Sequence, residues 1–179
     1  MGKRILVISA TPRKGGNSER LCDQFIKGAR ESGHQAEKVT LRERRIGYCI
    51  GCGACYNQKS PCIQRDDAPG IVEKMVAADV IVLATPVYFY SISGQLKTLL
   101  DRTCAGYTRI SDKEFYFILT AADNDPHALQ PAVECLRGFT SCLRGAKECG
   151  ILYGTGVWQL GDVEKTDLLK QAQQMGRQV

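Results

Sequence analysis

The stretch DVIVLAT, Asp79 to Thr85, sets Val80, Ile81, Val82, Leu83 and Ala84 in succession between an acidic residue and a threonine. An apolar run this short, rich in β-branched residues and without polar alternation, reads as a strand buried on both faces. Such strands belong to parallel sheets covered by helices. RILVIS (Arg4 to Ser9) is a second run of this kind, and AEKVTL (Ala36 to Leu41), EFYFILTA (Glu114 to Ala121) and ECGILYG (Glu148 to Gly154) read as three more strands.

The segments between them carry helical spacing. Leu21, Cys22, Phe25, Ile26 and Ala29 recur along Ser18 to Ser32, with Asn17 or Ser18 as N-cap and Glu19 in the first turn. Asp66 and Asp67 offer a cap before Pro69 and the apolar face of Ile71, Val72, Met75 and Val76. Leu96, Leu99 and Leu100 mark a third helix. Leu129, Val133 and Leu136 mark a fourth after Asp125-Pro126, and a polar helix from about Val163 closes the chain. Strands alternating with helices predict an α/β, doubly wound, five-stranded parallel sheet with helices on both faces, in the flavodoxin-like order 2-1-3-4-5. No repeat, low-complexity tract or linker interrupts it, so residues 1–179 read as a single domain.

Composition agrees. The 179 residues are 44% hydrophobic and 24% charged, with a net charge of +5. The run Arg42, Arg44, Arg45 reads as a solvated face, and no aromatic–basic interleaving points to nucleic acid. No segment reaches the roughly 18 apolar residues of a membrane span. The apolar run Ile5 to Ile8 is too short for a signal peptide, and Leu6 breaks the myristoylation pattern after Gly2. The expectation is a cytoplasmic protein, where stable disulfides are uncommon and nine cysteines favour metal or redox chemistry.

In an open parallel sheet, ligands bind beyond the carboxyl ends of the strands at the switch point. SATPRKGGNSE, TPVYFYS and TAADND meet there. The first aims a helix start and free N–H groups at one spot, a ready phosphate site. Ser9, Thr11, Asn17 and Ser18 can donate hydrogen bonds, Arg13 adds charge, and Gly15 and Gly16 permit close approach. The Walker A pattern fails because Gly-Asn-Ser replaces Gly-Lys-Ser/Thr, and the dinucleotide fingerprint is absent. A monophosphate remains. Tyr88, Phe89 and Tyr90 after Pro86 offer a place for a flat heterocycle, or cover for a core edge or subunit contact.

CIGCGACYNQKSPC, Cys49 to Cys62, holds four cysteines in C-x2-C-x2-C spacing plus Cys62. Thiolates suit an iron–sulfur cluster, and the spacing is of the bacterial ferredoxin style, with Gly51 and Gly53 letting the loop curl. Zinc, a redox disulfide and no metal at all stay open, although His34 and His127 are remote from the loop. Cys22, Cys104, Cys135, Cys142 and Cys149 read as small buried hydrophobes. Trp158, between Gly154, Gly156 and Gly161, reads as a packing anchor or a lid.

Taken together, SATPRKGGNSE, the cysteine loop followed by IQRDD, ADVIVLATPVYFYSISGQLKTLLDR and YGTGVW resemble the flavodoxin-like NAD(P)H-dependent FMN reductases, more closely their iron–sulfur flavoprotein branch. The resemblance covers Arg4 to about Asp162. It implies that Ser9, Thr11, Arg13, Asn17 and Ser18 hold the FMN phosphate. Pro86, Val87, Tyr88, Phe89, Tyr90 and Ser91 would line the isoalloxazine, and Thr120, Ala121, Ala122 and Asp123 would flank its other edge. Cys49, Cys52, Cys55 and Cys62 would bind a 4Fe–4S cluster. The implied activity is an NAD(P)H-dependent reductase of a quinone, a flavin or a ferredoxin-like protein, as a homodimer or tetramer. The alternative is a non-enzymatic flavin and iron–sulfur electron carrier. The chemistry would belong to the cofactor, so no catalytic side chain is named.

Overall fold

The computed structural model describes residues 2–56 and 61–179. Its strands are β1 (Arg4–Ser9), β2 (Gln35–Thr40), β3 (Val80–Tyr88), β4 (Ser91–Ile92), β5 (Glu114–Thr120) and β6 (Lys147–Gly154). Its helices are α1 (Asn17–Glu31), α2 (Ala68–Ala77), α3 (Gly94–Arg102), α4 (Gln130–Ser141) and α5 (Leu168–Arg177). The sheet runs β2-β1-β3-β5-β6 with every neighbour parallel, as the alternation of elements predicts.

The sheet has six strands, not five. β3 does not stop at Thr85 but continues to Tyr88, and β4 folds back on it antiparallel, pairing Val87 with Ile92 and Tyr88 with Ser91. The two residues joining them, Phe89 and Tyr90, both have positive φ (47° and 61°), the signature of a type I′ hairpin turn. That turn ordinarily takes Asn-Gly, so its aromatic sequence hid the hairpin.

Side chains alternate across the sheet with period two. Leu6, Ile8, Ile81, Leu83, Phe115, Phe117 and Leu119 pack on one face with α2, α3 and α4. Ile5, Val7, Val80, Val82, Tyr116 and Ile118 pack on the other with α1 and α5. The closing polar helix lies close against α1: a Cβ at Gly28 would strike the Gln173 carbonyl, and one at Gly176 the Phe25 carbonyl. Before it, Asp162–Lys165 forms a 3-10 turn, which is why the helix starts later than the sequence predicts. Among the described residues, no helix is long and apolar enough to cross a membrane.

Only one of the five cysteines outside the loop fits the expectation of a buried hydrophobe. Cys22 is fully buried against the sheet, and burial pushes its thiol up to about 12. Cys135 is half-buried, whereas Cys104, Cys142 and Cys149 are exposed. Cys142 caps the end of α4, and Cys149 lies on edge strand β6, where one face meets solvent.

Candidate functional site

At the carboxyl ends of β1, β3 and β5, three loops converge. The chain leaves β1 at Ser9, and Ala10 N–H donates to the Ala84 carbonyl (2.9 Å) before the segment curls into α1. Gly16 occupies the N-cap, one or two positions ahead of the predicted Asn17 or Ser18, and no side chain caps the helix. The curl is tight: a Cβ at Gly16 would sit 2.7 Å from Thr11 Oγ1. The helix start therefore keeps its donors and its positive dipole end for a ligand. Ser18 Oγ is buried there without a hydrogen-bond partner, a state that native structures rarely leave unexplained.

The second loop is locked from below. Ser93, fully buried at the N-cap of α3, donates from Oγ to the Ala10 carbonyl (3.0 Å), and its N–H donates to Thr85 Oγ1 (2.9 Å). The third loop is zipped to the chain after β6: Val157 N–H donates to the Ala121 carbonyl, and Gly156 N–H to the Asp123 carbonyl.

One pocket lies between them, lined by Thr11, Arg13, Asn17, Ser18, Pro86, Val87, Tyr88, Thr120, Ala121, Ala122, Val157 and Trp158. Ten of these are candidates from the sequence, drawn from segments more than a hundred residues apart. Five candidates lie outside it. Ser9 is fully buried on the α1 side of the sheet, because alternation along β1 sets it with Ile5 and Val7. Phe89 and Tyr90 stand outward on the I′ turn, Phe89 wholly exposed, and Ser91 is exposed beside them. Asp123 is exposed, and its carboxylate accepts from Asp125 N–H instead (2.9 Å).

Val157 and Trp158 complete the wall. Arg13 Nη1 donates to the Trp158 carbonyl (2.8 Å), and its guanidinium lies 5.9 Å from the indole centroid. Asn17 Nδ2 donates to the Gln159 carbonyl (2.9 Å), and Asn17 Oδ1 accepts from Val163 N–H (3.4 Å). Trp158 thus lies across the mouth, and the cavity beneath it is about 60 Å³. Ligand pockets run to roughly 300 Å³ or more, so a ligand of that size would need this segment to shift. Among the twelve lining residues Arg13 is the only charged one, and none is a carboxylate or a histidine.

Glu19, at the third position of α1, braces the loop from behind. It accepts from Gly15 N–H (2.8 Å), Arg42 Nη1 (2.9 Å) and Lys38 Nζ (3.5 Å). Burial alone would raise its pKa, but these bonds and charges outweigh it and hold the carboxyl below its ordinary value.

The cysteine loop spans residues 49–62, of which 57–60 lie outside the described residues. Cys49 and Cys52 are exposed, and Cys55 and Cys62 are half-buried. Gly51 and Gly53 have φ of 63° and 70°, the left-handed curl that glycine permits. Among the described residues, no three Cys, His, Asp or Glu groups gather closely enough to hold a metal ion. The donor set fits an iron–sulfur cluster in kind and in its spacing along the chain.

Sequence reasoning missed the two groups beneath this loop. Arg102 is 3% exposed. It donates to both Asp66 oxygens (2.6 and 3.0 Å), to the Gly47 carbonyl (2.7 Å) and to Cys62 Sγ (3.3 Å), clamping the two stems together. Its Nε, also buried, has no acceptor among the described residues. Cys104 forms a side-chain hydrogen bond with Cys55, and burial together with this contact raises the Cys55 pKa. No local signal could have paired residues so far apart.

Comparison with known proteins finds a matching family and several relatives. The family model described as NADPH-dependent FMN reductase matches residues 3–139. An iron-sulfur flavoprotein of Archaeoglobus fulgidus is 39% identical over 95 residues, covering 53% of this chain and 43% of its own length. An iron-sulfur flavoprotein of Methanosarcina thermophila is 40% identical over 100 residues, covering 56% of this chain and 52% of its own. The chain thus matches about half the length of these relatives. The solved structure of an NAD(P)H:quinone oxidoreductase from Methanothermobacter marburgensis superposes with a TM-score of 0.74 at 17% identity, covering 99% of this chain and 96% of that one.

Proposed function

Because the chain belongs to the NADPH-dependent FMN reductase family, we propose that it is a cytoplasmic, single-domain FMN-dependent oxidoreductase that oxidises NAD(P)H and reduces a quinone, a free flavin or a protein acceptor. The observation that carries this reading is the buried, unpartnered Ser18 hydroxyl at the uncapped start of α1. It lines the same pocket as the backbone of Pro86 to Tyr88 and Thr120 to Ala122.

Bound FMN would supply the electron transfer itself. The chain's part is placement. Thr11, Asn17, Ser18 and the N–H groups of the curl would hold the phosphate, with Arg13 adding charge once Trp158 shifts. Pro86 to Tyr88 and Thr120 to Ala122 would hold the ring edges, and Val157 and Trp158 would screen it from water. No carboxylate or histidine lines the pocket, and no residue is assigned a proton.

The test is direct. FMN titrated into flavin-free protein should bind, and Ser18→Ala should weaken it roughly tenfold, the worth of about one hydrogen bond to a charged group. Anaerobic NADH or NADPH should then bleach the bound flavin. Unchanged affinity in Ser18→Ala would remove the loop from the site. Flavin that stays oxidised with both nucleotides would favour the electron-carrier reading.

We further propose that Cys49, Cys52, Cys55 and Cys62 ligate a 4Fe–4S cluster. The support is the ligand chemistry, the names of the two relatives, and the hydrogen bond from Arg102 Nη2 to Cys62 Sγ. Anaerobically prepared protein should hold about four irons per chain. Cys52→Ser should lose them and Cys135→Ser should not, while zinc in their place would sink the assignment. Assembly as a homodimer or tetramer completes the proposal, and sedimentation would settle it.

A further inference from the structure

Glu19 is 7% exposed and stands directly behind an anion site, which is an unfavourable place for a carboxylate. It is the first-turn acid of α1, and its hydrogen bond to Gly15 N–H shapes the curl. Two cations come to it from the β2 side of the sheet. Lys38 lies on β2, and Arg42 lies in the 3-10 turn Leu41–Glu43 that follows it. Neither lines the pocket. Each has a second acidic partner, Asp23 for Lys38 (2.5 Å) and Glu43 for Arg42 (2.9 Å). Those partners are more than half exposed and screened by water, whereas Glu19 is not.

We propose that Arg42, with Lys38, is a positioning residue for the flavin phosphate: it cancels the charge of Glu19, so that the carboxylate can brace the loop without repelling the phosphate in front of it. The inference rests on the reading of this loop as the FMN phosphate site. It is electrostatic, and that gives it a sign that a purely structural brace does not share. Unmasking Glu19 should loosen a phosphate-bearing ligand. Neutralising Glu19 should not. A ligand without the phosphate should respond to neither.

The experiment compares FMN with riboflavin, titrated by flavin fluorescence against flavin-free protein at low salt. Arg42→Gln should bind FMN about tenfold more weakly, the effect of roughly one unscreened charge near the phosphate. Arg42→Lys should stay within about twofold of wild type, since its charge remains. Glu19→Gln keeps an acceptor for Gly15 N–H and should bind FMN at least as tightly as wild type. The double variant Glu19→Gln/Arg42→Gln should recover most of the loss. Riboflavin affinity should be level throughout. A double variant weaker than Arg42→Gln alone, or riboflavin falling as far as FMN, would mean that the network only shapes the loop, and the inference fails. Should Arg42→Gln not fold, Glu19→Gln still decides, because looser FMN binding there overturns the inference. A wild type that does not prefer FMN over riboflavin overturns the phosphate site itself, a result distinct from any of these.

Discussion

Two of the carboxylates held below their ordinary pKa brace loops of the candidate sites. Glu19 and Asp66 both have folded-state pKa values below the ordinary 4.5 and 3.8. In each, burial would raise the value, but for Asp66 the Arg102 guanidinium and the N–H groups of Gly47 and Ala68 prevail. A depressed carboxyl contributes stability that is complete above its unfolded pKa and is lost as the pH falls through the folded one. Asp66→Asn should therefore be less stable than wild type at pH 7, and the gap in urea midpoint should begin to narrow below about pH 4 and vanish as the pH falls through the lower folded-state pKa. A gap that persists at low pH would show that shape, not charge, holds the stems together. Thiols give a second reading at this scale. Cys22, buried and with its pKa raised, should resist a thiol reagent in the native state, while the exposed Cys142 and Cys149 should react. Labelling followed by peptide mapping checks both.

Among the elements, the crossing of α1 and α5 depends on two glycines, since added methyl groups at Gly28 or Gly176 meet backbone carbonyls. Gly28→Ala should cost about 2–3 kcal/mol and lower the melting temperature by roughly 5–10 °C. The β3–β4 hairpin behaves in the opposite sense. Phe89 and Tyr90 hold left-handed backbone angles that cost bulky residues roughly 1–2 kcal/mol each. Asn at 89 with Gly at 90 should raise stability by about 1 kcal/mol net of the glycine's added entropy. Such strain persists where it serves a site, so the stabilised variant should turn over its acceptor more slowly if the outward rings meet the acceptor. The segment 157–163 adds a spectroscopic handle. Trp158 is the only tryptophan and is latched by Arg13 and Asn17 over a cavity too small for a flavin. FMN binding should change its emission, and Arg13→Ala should shift the emission of the flavin-free protein toward that of the bound state.

At the strand ends the three loops enclose a pocket with Trp158 in its wall, and the sequence carries no dinucleotide fingerprint. Nicotinamide and a small acceptor would then take turns at one flavin face. Steady-state rates should follow ping-pong kinetics, with parallel lines in double-reciprocal plots against a quinone or free flavin. Intersecting lines would require both ligands at once and a second site. If the cysteine loop holds the proposed cluster, the broad hollow of Arg44, Arg45, Gly47, Gln64, Arg65 and Asp66 beside it would offer a protein acceptor a separate approach. Loss of iron would then stop transfer to that partner while sparing the quinone.

By itself the sequence determined the layered fold and pointed to ten of the residues that line the candidate pocket, because both rest on local rules. Apolar runs of strand length and apolar residues at helical spacing report which faces are buried, and the parallel sheet forces its loops to one edge. Thr11, Asn17, Ser18 and Thr120 were legible as site residues from strand and loop position alone. Only the tertiary structure decided which neighbours turn into the pocket. Ser9 is buried beside α1 because side chains alternate along β1, and Phe89 and Tyr90 turn outward because a left-handed turn closes the hairpin. Arg42 behind Glu19, Arg102 and Cys104 beneath the cysteine loop, and Trp158 over the mouth are contacts made by packing between distant segments. Periodicity records what each residue faces, core or water, and carries no information about which distant residue it will meet there.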